Sequence, residues 1–481
     1  MYDRTCAPGE GRPRVHPGSL YRRVVPVPGR SRRDGAKEGI VDTFVIEGGR
    51  RLTGRVRVNG SKNAALPLTA AALLTDQPVV LRDVPDLADI RNMLRLLAEL
   101  GCHRVNEGQE ATTLRLQTGE GGSSHARYDI VRTMRASICV LGPLVAKRGI
   151  ARVSMPGGCA IGDRPVDLHL RGLAALGAEI TLSGGDITAK APRGGLRGTT
   201  IFLGGPMGST VLGTANVMSA ATLAKGTTII ECAACEPEIV DVARLLIAMG
   251  AKITGAGSPR ITIEGVDQLG GADHTVIADR IEAGTLLMAA GVTNGDIVVE
   301  NCPLDSLLAV TDRLSAIGID VRPLDPKADP WRTSVRVTCG RVLKPVEVTT
   351  QPYPGFPTDL QAQLMAVLCL ADGNSVITER IFPERFLHVA ELSRMGARLF
   401  RQGPTVVVSG VRNLVGAPVM ASDLRASACL VLAGMAAEGT TVVNRVYHLD
   451  RGYERLEDRL CAMGASIQRV DDKELGGASG E

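Results

Sequence analysis

LLIAMGAKI, residues 245–253, reads as the end of a helix, a glycine and the start of a strand, and the chain holds six versions of it. The others are LLAELGCHRV (96–105), LAALGAEI (173–180), RLSAIGIDV (313–321), ELSRMGARL (391–399) and RLCAMGASI (459–467). Their shared glycines, Gly101, Gly177, Gly250, Gly318, Gly396 and Gly464, are spaced by 76, 73, 68, 78 and 68 residues. Each glycine falls where a helix C-terminus requires a left-handed backbone. Upstream of each lies a small-residue helix, a polar turn, a β-branched strand and a loop, as in ATLAKGTTIIECAACEPEIVDVARLL. Apolar spacing supports the second helix, with Ile239, Ala243, Leu246 and Ile247 expected on one face.

A period of roughly 73 residues is too long for a typical solenoid repeat, so the pattern predicts compact βαβαββ-like units of α/β class. Six of them in about 440 residues suggest two domains of three. The loops between strand and second helix recur at equivalent places. If they face one cleft, chemistry collects there.

Composition narrows the function. Hydrophobic residues make up 44% and charged residues 22% of 481, ordinary for a globular chain. No apolar run approaches the roughly 20 residues that span a bilayer, so no membrane insertion is expected. The net charge of +4 is concentrated: residues 1–40 hold nine Lys/Arg and four Asp/Glu, hence +5, leaving −1 for the rest. A body that near neutrality gives no field for nucleic acid. The eleven cysteines sit mostly in apolar stretches (Cys139, Cys369, Cys429), which reads as reduced thiols packed as small hydrophobes in a cytoplasmic protein. Segment 1–40 is Arg- and Pro-rich without an apolar signal region. It is expected to be a disordered basic arm or a start assigned too early, with folded patterning from Val41 and a flexible tail over 471–481.

Several loops carry residues suited to chemistry. PGGCAIGDRPVDLHL (156–170) sets Cys159 in a Gly-rich polar loop beside Arg164. Cys159 is either one more inert thiol or a reactive one, activated by Arg164. Pro165 suits a first helical position, which places Arg164 at a helix N-terminus, where anions bind. In GSKNAALP (60–67), Lys62 and Asn63 stand just before an apolar helix. A lysine there opposes the helix dipole, so it is a solvated charge or an anion ligand. Arg135, Arg385, Arg425 and Arg451 occupy comparable loop positions. Singly each reads as a surface ion pair; together they suit a substrate with several negative charges. Asp359 in FPTDLQAQ and Asp423 in SDLRAS are helix caps or carboxylate bases for a hydroxyl. Cys232-Ala-Ala-Cys235 has no second pair at zinc spacing, so no metal is expected there. The common dinucleotide, P-loop and HExxH motifs are absent from the sequence.

The motifs GSKNAALP, TMRAS, PGGCAIGDRPVDLH, EPEIVD, ADRIEAGT, FPTDLQAQ, ERFLHV, DLRASA and DRGYERLED occur in that order from about residue 43 to 470. In this the chain resembles the UDP-N-acetylglucosamine enolpyruvyl transferases of the EPSP synthase superfamily; the cysteine loop separates them from the shikimate-pathway branch. The resemblance implies a two-domain inside-out α/β barrel, with 62–277 in one domain and 41–61 plus 278–470 in the other. It implies phosphoenolpyruvate and UDP-N-acetylglucosamine as substrates, with no cofactor, no metal and no obligate protein partner. By the same resemblance, Cys159 matches the residue that helps protonate phosphoenolpyruvate and reacts with fosfomycin, and Asp359 the base for the sugar 3′-hydroxyl. Lys62, Arg164 and Arg451 match groups holding phosphoenolpyruvate. Asn63, Arg135, Phe382, Arg385, Asp423 and Arg425 match cleft residues, and Glu236, Asp279 and Arg280 positions near the sugar nucleotide.

Departures from the pattern bear on the acceptor. GSTVLGTAN (208–216) replaces a commoner SVGATEN-like stretch, a short GGPMG insertion precedes it, and Cys235 stands where arginine is usual. A different acceptor is therefore the alternative; a silent sugar-nucleotide-binding paralogue is a third reading, which loss of a reacting residue would signal, and none is lost.

Overall fold

The computed structural model describes residues 42–105, 111–119, 121–155, 166–340 and 342–471. Segment 1–40, the loop bearing Cys159 and Arg164, and the tail after Asp471 lie outside the described residues. Asp471 itself closes the last strand, Ser466–Asp471.

The described strands form six four-stranded sheets of one topology. In unit three, Thr200–Phe202 runs parallel to Thr227–Glu231, which pairs antiparallel with Arg260–Glu264, itself antiparallel to Lys252–Thr254. The other five sheets repeat this parallel, antiparallel, antiparallel order. In units two, three, five and six helical segments connect the parallel pair, and in all six units a further helix leads through the repeated glycine to the outer strand. All six glycines have positive φ, between 81° and 104°. Each thus fills the left-handed position that closes a helix without the steric penalty of a Cβ.

Burial sorts the layers. The first helices, such as Arg280–Val292 and Val211–Ala221, are buried on nearly every side. Strands alternate buried and half-buried residues, as in Thr405–Ser409. A helix apolar all round belongs at the centre, and a half-buried strand at the surface. The helices are therefore inside and the sheets outside. Small residues permit this packing: a Cβ on Gly142 would lie 2.2 Å from the Asn216 carbonyl. The second helices are amphipathic but not as drawn from the spacing in one case. Ile239, Ala243 and Leu246 are buried in Pro237–Ala248, whereas Ile247 is 46% exposed. At 100° per residue Ile247 lies at the edge of the stripe, and Val242 and Leu245 complete the buried face.

Two hydrophobic cores result. One draws its residues from Ala64 to Ile277; the other takes Phe44 to Val58 and then Ala278 to Ile467. Strands exchanged along the chain close each group of three sheets. Ala272–Thr275, after unit three, supplies the parallel edge of unit one. Thr53–Arg57 supplies that of unit four, and Asp42–Glu47 sits inside the sheet of unit six. The chain passes between the cores twice, near 58–61 and 276–279. These segments lie side by side: Ser61 N donates to the Ile277 carbonyl (2.7 Å) and Asp279 N to the Asn59 carbonyl (2.9 Å). Gly60 is required here, because a Cβ would lie 1.8 Å from the Asp83 carbonyl.

Candidate active site

Several of the polar residues singled out by the sequence, Lys62, Asn63, Arg280 and Arg425, sit in the first turns of helices. Ser61 caps Lys62–Ala71, accepting from Ala64 N, so Lys62 and Asn63 lie within the first turn rather than before it. Lys62 is buried, not solvated; its Nζ is 3.2 Å from Asp89 Oδ2. Asp89 is in the first turn of Ala88–Glu99, the second helix of unit one. Its other oxygen accepts from Arg451 Nε at 3.0 Å, across from the segment Val446–Arg451 of unit six. One carboxylate thus joins two cations drawn from opposite ends of the chain.

Asp359 forms a second set of the same kind. Its Oδ1 accepts from Arg385 Nη1 and its Oδ2 from Arg425 Nη2, each at 2.8 Å. Asp359 caps no helix through its side chain, so the capping alternative does not hold. Both arginines are buried, contrary to the surface-pair reading of either one. Burial would raise the Asp359 carboxyl, but Arg425 and Arg385 outweigh it and hold it well below the usual carboxylate range. The two sets are close enough to sense one another. Burial lowers the Lys62 ammonium and Asp89 opposes this, with further contributions from Arg425, Asp359 and Arg451. Each set carries two positive charges and one negative, so together they present a net excess of two positive charges, with Lys62 and Arg425 in helical first turns, a setting that attracts phosphate and carboxylate.

Polar contacts behind these groups fix their geometry. Tyr453 is buried; its hydroxyl meets Thr285 Oγ1 (2.8 Å), Gln363 Nε2 (3.0 Å) and Arg425 Nη1 (3.2 Å). Glu379, also buried, accepts from Ile381 N (2.8 Å) and Phe382 N (3.0 Å) through Oε1 and from Thr358 Oγ1 (2.9 Å) through Oε2. Thr358 in turn accepts from Arg385 Nη1 at 3.0 Å. Glu379 therefore anchors both Phe382 and the Asp359–Arg385 pair.

The remaining expected residues fall nearby with mixed roles. Asp423 caps Leu424–Ala436, accepting from Arg425 N and Ala426 N, which favours the structural of its two readings. Asp279 caps Arg280–Val292 and also accepts from Lys62 N at 3.2 Å. Arg280 pairs with buried Glu238, Nε to Oε1 at 3.0 Å, and its guanidinium lies 5.6 Å from the Tyr353 ring. Burial pushes the Glu236 carboxyl up, and its Oε2 has no partner among the described residues. Arg135 begins the 3-10 helix Arg135–Val140. It faces buried His169, whose ring burial lowers to about 4, with Arg135 adding to the shift. The helix after the cysteine loop starts at Asp167, two residues beyond Pro165. Thr210 caps Val211–Ala221, so Leu212 of the variant stretch lies in a helical first turn. Cys232 has φ 58°, and neither it nor Cys235 forms a disulfide. Among the described residues no cluster of three His, Cys, Asp or Glu could hold a metal ion.

Sequence similarity places this architecture. The profile for EPSP synthase (3-phosphoshikimate 1-carboxyvinyltransferase) matches residues 46–460. The chain belongs to the EPSP synthase family. Within that family, a UDP-N-acetylglucosamine 1-carboxyvinyltransferase of Anaeromyxobacter sp. (strain Fw109-5) is 54% identical over 429 residues, covering 89% of this chain and 99% of that one. One of the same name from Dinoroseobacter shibae is 53% identical over 432 residues, covering 90% and 100%. Among solved structures, the enolpyruvyl transferase NikO from Streptomyces tendae superposes with TM-score 0.79 at 25% identity, over 90% of this chain and 99% of that one. EPSP synthase from Acinetobacter baumannii shares the fold, with TM-score 0.70 at 17% identity over 89% and 100%.

Asp89, Glu379 and Tyr453 were not anticipated from the sequence. Tyr453 lies within the quoted DRGYERLED, but as one aromatic among charges it gave no sign of burial. Asp89 was visible only as an acidic residue in a helix's first turn, where many are merely dipole-favoured.

Proposed function

We propose that the protein transfers the enolpyruvyl group of phosphoenolpyruvate to the 3′-hydroxyl of UDP-N-acetylglucosamine, releasing phosphate. The observation that carries this reading is the pair of sets in which one carboxylate joins two cations, Lys62–Asp89–Arg451 and Arg385–Asp359–Arg425. Relatives above 50% identity that bear the corresponding enzyme name support the acceptor.

The chemistry fits the residues. Protonation of the methylene carbon makes C2 electrophilic, and the sugar oxygen bonds to it. As that bond forms, the hydroxyl proton becomes acidic and passes to Asp359. A carboxylate held well below its usual range is a weak base, but it is fully ionised and fixed at 2.8 Å by Arg385 and Arg425. It therefore suits a transfer that follows attack rather than one that precedes it. The ketal then loses a methyl proton and phosphate, which restores the enol ether. Lys62 and Arg451 are assigned to the phosphoryl group, with Arg164 beside them by family resemblance. Preorganised cations of this kind stabilise charge as it develops on the leaving group. Cys159 is assigned the methylene-side proton and covalent reaction with fosfomycin on the same resemblance. Asn63, Arg135, Phe382, Glu236, Asp279 and Arg280 are assigned to the acceptor side of the cleft. The two hydrophobic cores support a division into domains at 62–277 and 41–61 plus 278–470, with the substrates between them. In this reading the enzyme works in the cytoplasm at the first committed step of peptidoglycan synthesis, and so serves cell-wall growth and division.

The test is phosphate release from phosphoenolpyruvate, assayed with and without UDP-N-acetylglucosamine and repeated after incubation with fosfomycin. Release that needs the sugar nucleotide and stops with the drug is expected. Release with another acceptor alone would replace the substrate assigned here.

A further inference from the structure

We propose that Asp89 is a positioning residue that aims Lys62 and Arg451 at one phosphoryl group, an inference that rests on the function proposed above. Its side chain is 6% exposed and both oxygens are engaged, Oδ2 by Lys62 Nζ at 3.2 Å and Oδ1 by Arg451 Nε at 3.0 Å. It is not a helix cap; the capping residue of Ala88–Glu99 is Leu87. The pair to Arg451 uses only Nε, and among the described residues the two terminal nitrogens bond to nothing. Arg451 is 42% exposed, so those nitrogens are open to a ligand. Lys62 likewise spends one of its three protons on Asp89.

The contact is also braced. Glu454 Oε2 accepts from Asp86 N at 3.1 Å and from Asn59 Nδ2 at 3.5 Å, holding the Arg451 segment against the start of the Asp89 helix. Arg451 comes from the second core's half of the chain and Lys62 from the first. Glu454 braces the segments, but among the described residues Asp89 is the group that bonds both the Lys62 and the Arg451 side chains. The groups facing the Lys62 ammonium are Asp89, Arg425, Asp359 and Arg451, of which the two carboxylates favour its charge and the two arginines oppose it.

Asp89→Asn separates positioning from a simple contribution to the local field. Removing a negative charge near a phosphate should tighten anion binding if only Coulomb attraction matters. If Asp89 aims the two cations, binding weakens despite the gain in net charge. The expected result is a kcat/KM for phosphoenolpyruvate lower by roughly 30-fold or more, as when one member of a buried charge pair is removed. The KM for the sugar nucleotide should stay near wild type. The alkaline limb of the pH profile should move to lower pH, because Lys62 loses the neighbour that favours its protonated form. A merely structural role would lower activity equally at all pH and for both substrates, and that pattern, or tighter phosphoenolpyruvate binding, overturns the proposal. If thermal melts show Asp89→Asn to be unfolded, Asp89→Glu serves instead. It keeps the charge but moves the carboxylate, so it should raise the KM for phosphoenolpyruvate with the alkaline limb unmoved; a wild-type KM overturns the proposal. Should the wild type release no phosphate, the proposed function fails, and Asp89 is then tested by titrating wild type and variant with inorganic phosphate. Weaker binding by the variant is expected, and equal or tighter binding refutes the positioning role.

Discussion

Replacing Asp359 by asparagine tests the paired-cation arrangement and the assigned chemistry in one variant. The carboxylate accepts two charge-assisted hydrogen bonds at 2.8 Å from arginines that are almost wholly buried. An amide keeps one acceptor, so one arginine retains a neutral partner and the other faces an NH₂ donor. Breaking a buried pair costs about 3–5 kcal/mol. Asp359 is itself 26% exposed, so water recovers part of this and the lower end, about 3 kcal/mol, is expected. Urea denaturation near neutral pH reads that loss. The sign with pH follows from the depressed native carboxyl: the unfolded chain binds the proton first as pH falls. The wild type's advantage is therefore full above an ordinary carboxyl value of about 4 and disappears as pH falls through the lower native value. Turnover of a folded Asp359→Asn should drop about 10²- to 10⁴-fold, the range for loss of a general base. Unchanged turnover refutes the base role, and an unchanged urea midpoint refutes the account of what holds Asp359 in place.

Other expectations follow from single contacts. Tyr453→Phe removes the hydroxyl that meets Thr285, Gln363 and Arg425, so stability should fall by about 1–2 kcal/mol with a loss of turnover through Arg425; calorimetry and steady-state kinetics check both. His169 and His388 are buried and lowered to about 4, so the native state resists protonation that the unfolded chain accepts. Stability should therefore decline as pH falls from about 6.5 to about 4, by up to a few kcal/mol per histidine, and His169→Gln should flatten that slope. Cys159→Ser should nearly abolish turnover and fosfomycin labelling while leaving the melting temperature close to wild type; wild-type turnover would remove the thiol from the mechanism.

The fold was legible because its strongest signal is local. A helix that must end, turn through a left-handed residue and re-enter as a strand requires glycine each time, and six such glycines gave the unit and its period. Strand exchange was less legible: nothing in Asp42–Glu47 says that it pairs with Thr440–Asn444, almost 400 residues away. Helix stripes were legible to about one residue, as Ile247 shows, because an apolar residue at the margin of the buried face is tolerated in water. For the site, the sequence marked loops rich in Arg, Lys and Asp but not their partners. Asp359 and Arg425 are 66 residues apart, and Asp89 and Arg451 are 362 apart. Those pairings depend on how the units close, which no local pattern encodes. Asp423 illustrates the converse, since Ser-Asp before an apolar run is a capping signature and a cap is what it became.

The central claim is best tested by phosphate release from phosphoenolpyruvate in the presence and absence of UDP-N-acetylglucosamine. The account predicts stoichiometric release and an enolpyruvyl sugar nucleotide only when both substrates are present. A folded protein that binds both and releases no phosphate would contradict it.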